Sequence, residues 1–223
     1  LMLQKSLISD ARLEQILVKL RKEILIKRFD NETVEINNQL NFVISLAEQC
    51  FLNEYIYIQS KNEIDKTIIL ESNLEKKEKI NELDIAILAC YAPLNRSKKI
   101  KEMLINYKSK NPLFNDLIKI QIKEILQEKK IKKTIKSYGV ISDSVSKKVK
   151  KQYEENPYPR WRYIYNNIKI NFLLRLQNQI KPNTTNISKI DKFNRPNVLI
   201  AGCGTGKHLF IADSYANANI LGV

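Results

Sequence analysis

The chain has 223 residues, with 38 Lys and Arg against 24 Asp and Glu, one His, three Cys and a net charge of +14. That length holds one or two packed domains, and the charge suits a polyanionic partner, although a chain rich in Lys, Ile and Asn also has the signature of AT-rich coding DNA, which puts lysines on solvated faces without selection for nucleic acid. Three scattered cysteines outside any CxxC pair argue against a disulfide framework and a zinc site, and no apolar run nears the length of a membrane span, so the expectation is reduced thiols, no metal, no membrane and a cytoplasmic protein.

The N-terminal stretch Leu1-Met2-Leu3-Gln4-Lys5 lacks the long apolar core of a signal peptide. Leu13, Ile16, Leu17, Leu20, Ile24 and Leu25 then recur at helical spacing and predict a first helix, capped by Ser9 or Asp10. A second apolar stripe joins Leu40, Val43, Ile44, Ala47, Cys50 and Phe51. Ser60 and Glu63 stand at capping-box spacing and open a third helix. A strongly apolar fourth runs from Leu83 to Tyr91 and stops before Pro93. Ile100, Met103, Leu104 and Tyr107 mark a fifth. Pro112, at home in a first turn, opens a sixth that continues to Ile125. No fixed-period repeat emerges.

Gly139 breaks this pattern, and Ser142 is the expected cap of a short helix carrying Val145, Val149 and Tyr153. The lysine doublets 129–130, 132–133, 147–148 and 150–151 fall here. From Lys123 to Arg162 there are twelve basic and five acidic residues, a net of +7. The aromatics Tyr153, Tyr158 and Trp161 follow, a pattern that single-strand binding by base stacking beside a basic groove would also produce. Pro157 and Pro159 force the residues before them out of the helical region, so Asn156 to Trp161 is extended. Another helix is expected within 167–180, then a polar connection over 181–195.

The densest signal is Asn197-Val198-Leu199-Ile200-Ala201-Gly202-Cys203-Gly204-Thr205-Gly206-Lys207-His208. A β-branched run meets three glycines at alternate positions; the chain has only five. This predicts a strand over 197–201, a tight turn, a helix from about 207 to 215 and a second strand over 219–223. The glycines allow φ > 0 and close approach to a ligand, and a helix start offers unpaired N–H groups. Dinucleotide and P-loop motifs do not fit. The third glycine comes one position too early for the first. Ala201 and His208 stand where the second needs Gly and Ser or Thr. His208, the only histidine, belongs to the first helical turn and suits a local polar contact better than catalysis. Glu154 and Glu155 are neighbours and would point apart on a helix, a poor acid–base dyad.

The stretch resembles motif I of class I S-adenosylmethionine-dependent methyltransferases. The string Gln152-Tyr153-Glu154-Glu155-Asn156-Pro157-Tyr158-Pro159-Arg160-Trp161 is similar to a signature of one bacterial group of methyltransferase-like proteins, some of which carry tetratricopeptide repeats upstream. Segments 49–55 and 90–94 also look like that group. The resemblance implies an all-helical domain over 1–138, a signature segment over 139–162, and the start of a Rossmann-like methyltransferase domain over 163–223. It implies S-adenosylmethionine as cofactor, held by Ala201, Gly202, Cys203, Gly204, Thr205 and Gly206. Tyr153, Tyr158, Arg160 and Trp161 would form a lid or touch the substrate. The methyl acceptor and the catalytic residues stay open, and the helical domain could hold a protein partner. Ile200 occupies the place where the family usually has an acidic residue. The usual acidic ribose anchor after the second strand has no counterpart before the chain stops. The expectation is therefore a fragment, inactive alone. The alternative is a basic helical module binding nucleic acid or protein, with a degenerate methyltransferase half.

Overall fold

A computed structural model describes residues 2–30, 36–77, 79–136, 139–155, 160, 162, 168–180 and 195–223. The chain is mainly helical and divides into two compact units, Leu1–Lys151 and Gln152–Val223.

The first unit begins with a single turn, α1 (Met2–Lys5), and the long α2 (Ala11–Phe29). Asp10 rather than Ser9 caps α2, its carboxylate accepting from the Leu13 amide at 2.9 Å. The face that α2 buries keeps most of the expected stripe, with Leu13 and Ile24 packed on the core beside it, but loses Ile16 and gains Arg21. Leu17, Arg21 and Leu25 go inward, while Ile16 remains 54% exposed. Helix α3 (Ile36–Leu52) is buried along its length from Val43 onward and packs most closely on α5 (Glu82–Ala89). Between them, α4 (Lys61–Lys76) opens with the capping box read from sequence. The Ser60 hydroxyl accepts from the Glu63 amide, and the Glu63 carboxylate accepts from the Ser60 amide. Asp84, buried on α5, accepts two hydrogen bonds from Arg28, at 2.5 Å and 3.1 Å.

After a short 3-10 turn (Leu94–Arg96), Ser97 caps α6 (Lys98–Leu104) and Asn111 caps α7 (Pro112–Ile118), with Pro112 in the first turn. The expected sixth helix is continuous but changes pitch part-way. A π-turn over Lys119–Lys123 separates α7 from α8 (Glu124–Lys132) and turns Ile120, Gln121 and Ile122 inward together. The extra residue that a π-turn inserts changes the face presented to the core. Gln121 is used there, its side-chain oxygen accepting from the Leu94 amide at 3.1 Å. Gly139, at φ +77°, breaks the chain before α9 (Ser144–Glu155), whose cap is Asp143 rather than Ser142.

The second unit contains α10 (Phe172–Ile180), β1 (Asn197–Ile200), α11 (Lys207–Ala212) and β2 (Asn219–Gly222). The strands are parallel, pairing Val198 with Ile220 and Leu199 with Leu221. A parallel pair requires a crossover, and α11 supplies it. Helix α11 stops at Ala212, short of the expected Tyr215, because the chain is recruited elsewhere. Ile170 donates to Ser214 O at 2.8 Å and accepts from the Ala216 amide at 2.9 Å. The rings of Phe172 and Tyr215 meet edge to face at 5.0 Å.

Candidate functional site

The glycine turn is built from main-chain hydrogen bonds. The Val223 amide donates to Ile200 O at 3.0 Å, and the Cys203 amide donates to Val223 O at 3.0 Å. The start of the turn is thereby clamped over the end of β2. The Gly206 amide donates back to Cys203 O at 2.8 Å, closing residues 203–206, and Gly206 O accepts from Phe210 at 3.1 Å to start α11.

Gly202, Gly204 and Gly206 have φ of +66°, +50° and +100°, the conformations that the alternating glycines predict. Their surroundings differ. A Cβ on Gly206 would make ordinary contact with Leu209 and Phe210, at 3.8 Å and 3.9 Å. On Gly202 or Gly204 it would meet nothing within 4 Å. Both residues are exposed, and their amides make no backbone hydrogen bond among the described residues. The turn therefore shows bare main chain on one side.

Cys203 does not face that side. Its sulfur lies 3.2 Å from where a Cβ on Gly222 would stand, and Leu209 Cδ2 lies 3.0 Å from the same point. Gly222 is thus the residue that lets α11 and the turn settle onto β2, a role that no local signal in the sequence announces. Gly222→Val should overpack this contact and cost the second unit about 1–3 kcal/mol, read as a lower thermal midpoint.

Compared with family models, curated proteins and solved structures, the chain matches none.

Of the remaining candidates, Ala201 is exposed and Thr205 half-buried in the turn, and Ile200 is half-buried at the end of β1. Helix α11 has six residues, too few for much of the dipole expected at its start. His208 is exposed in its first turn. Tyr153 is 68% exposed on α9 and Arg160 is half-buried; Tyr158 and Trp161 lie outside the described residues. The lysine doublets on α8 and α9 are exposed throughout. Cys50 and Cys90 are buried free thiols, and Cys203 is half-buried and free. Among the described residues no His, Cys, Asp and Glu cluster suits a metal ion, and no helix is long and apolar enough to cross a membrane.

Proposed function

We propose that this chain belongs to an S-adenosylmethionine-dependent methyltransferase and that Ala201–Gly206 form the turn against which the methionine half of the cofactor lies. The observation that carries this reading is the open main chain at Gly202 and Gly204, both at positive φ and both with empty space where a side chain would stand, at the C-terminal end of a parallel strand. Ligands of open α/β sheets bind at that end of the strands.

The cofactor supplies an electrophilic methyl group on sulfur. The protein's part is to bind, orient and exclude water. The amides of Gly202 and Gly204, which donate to no backbone carbonyl among the described residues, would donate to the cofactor's carboxylate. With Ile200 where the family has an acidic residue, the ammonium group must be met by main-chain carbonyls such as that of Ala201, which accepts no backbone hydrogen bond among the described residues. The methyl acceptor itself is the nucleophile, so turnover needs none from the protein, and the one thiol of the turn, Cys203, packs against Gly222 instead.

Calorimetric titration of the full chain with S-adenosylmethionine, and separately with NAD, tests the assignment. Saturable heat with the first and none with the second is the expected result. No binding of either, together with RNA binding that weakens steeply with salt, would instead support the second reading, for which the exposed lysines of α8 and α9 speak.

A further inference from the structure

Helix α9 is exposed at every residue from Ser144 to Glu154. It has 12 residues, about the length at which a helix without tertiary support is marginal in water. Asp143 caps it, accepting from the Ser146 amide at 2.7 Å. Its apolar side chains stay in solvent, with Val145 65%, Val149 44% and Tyr153 68% exposed. Their spacing of i, i+4 and i+8 draws them into one stripe, about 80° wide at the helical repeat. Lys148 borders the stripe on one side and Lys150 on the other, with Lys147 and Lys151 behind.

The charge is as one-sided as the stripe. From Lys129 to Lys151 the chain has nine lysines and one acidic residue, Asp143. Glu154 and Glu155 follow at the far end of α9 and still leave the helix net positive. The lysines alone would suit any polyanion, and the apolar stripe narrows the choice. Base stacking needs flat rings, and Tyr153 is the one aromatic residue of α9. Valines gain nothing from a phosphodiester backbone. An anionic bilayer accommodates both features, taking the apolar stripe into the headgroup boundary and the lysines against lipid phosphates and carboxylates. A second copy of this chain offers no acidic counterpart. Its net charge is +14, and the isoleucine face of α4 (Ile64, Ile68 and Ile69) has Lys61 and Lys76 beside Asp65, with Glu71 held by Arg96.

We infer that α9 lies on anionic membrane surfaces, with Val145, Val149 and Tyr153 dipped into the headgroup region and its lysines against acidic lipid. An interfacial helix does not cross the bilayer, so the lack of a membrane-crossing helix among the described residues is compatible with this placement. The inference rests on one helix and is independent of the cofactor assignment.

Co-sedimentation of the full chain with phosphatidylcholine vesicles, with and without about one quarter phosphatidylserine, tests it. Binding should require phosphatidylserine and fall about ten-fold or more between low and high salt. Lys147→Gln with Lys148→Gln should cost about ten-fold or more in vesicle affinity. The charge-neutral pair Val145→Gln with Val149→Gln should cost about five-fold, while leaving affinity for a single-stranded RNA oligonucleotide unchanged. All four replaced side chains are exposed, and circular dichroism checks that the variants fold. Equal binding to vesicles without phosphatidylserine, or binding to neither, would overturn the inference. Full vesicle binding by the valine variant would also overturn it, because charge alone would then account for the affinity. So would dimers in sedimentation velocity that the valine variant abolishes, because a second copy would then cover the stripe.

Discussion

Arg21→Ala should destabilise the first unit by about 3–5 kcal/mol, the usual result of removing one partner from a buried ion pair. The Arg21 side chain is fully buried and faces Glu63 Oε1 at 3.6 Å. Its guanidinium lies over the Tyr91 ring at 4.5 Å, and it holds Ile58 O. The Tyr91 hydroxyl reaches Glu63 Oε1 and Arg21 O, each at 3.1 Å. Burial drives the Tyr91 phenol well above its ordinary range, so it stays a neutral donor. Burial also pushes the Glu63 carboxyl up, but hydrogen bonds from Ser60 and Tyr91 and the charge of Arg21 outweigh it, and the net shift is downward. A carboxylate depressed in the folded state stabilises fully above its unfolded pKa, near 4.5, and loses that contribution as pH falls through the lower folded value. Urea midpoints should therefore separate parent and Arg21→Ala widely at pH 7 and less at pH 3. Arg21→Met combined with Glu63→Gln should recover part of the loss, since no charge is then left unpaired. Equal gaps at both pH values, or a loss under about 1 kcal/mol, would remove the ion pair as the source of stability.

Arg21 also marks the limit of what the sequence discloses. Helical periodicity located α2 and gave Asp10 as one of two caps, yet it placed Ile16 on the inner face and left Arg21 out. Neighbouring faces of one helix differ by a single step, and only distant partners choose between them. For Arg21 those partners lie 37 residues away at Ile58 and 70 away at Tyr91. The cap at Ser60, the first-turn proline at 112 and the apolar runs of α3 and α5 were legible because their causes are local. The π-turn at 119–123 was not, since Gln121 goes inward to serve the Leu94 amide. The glycine turn divides in the same way. Positive φ at 202, 204 and 206 follows from composition, whereas the need for glycine at 222 arises only when Leu209 and Cys203 close over β2. Helix α11 ended early for a tertiary reason too, the pairing of 214–216 with Ile170.

On the proposed function, Gly204→Asn should weaken S-adenosylmethionine binding strongly while the second unit stays folded. Asparagine enters the left-handed region at small cost, so φ +50° is tolerated, and the new Cβ meets nothing within 4 Å. The side chain would then occupy the space assigned to the cofactor. A loss of about a hundred-fold, equivalent to about 2.8 kcal/mol, is expected by calorimetry, with a thermal midpoint lowered only slightly by the left-handed backbone at 204. Gly222→Val should do the reverse in order of cause, lowering the midpoint first and binding only as the unit opens. The two variants therefore separate a residue kept bare for a ligand from one kept bare for packing. Undiminished cofactor affinity in a folded Gly204→Asn protein would move the ligand away from this side of the turn. It would also leave the positive φ values of Gly202 and Gly204 as plain chain reversal between β1 and α11.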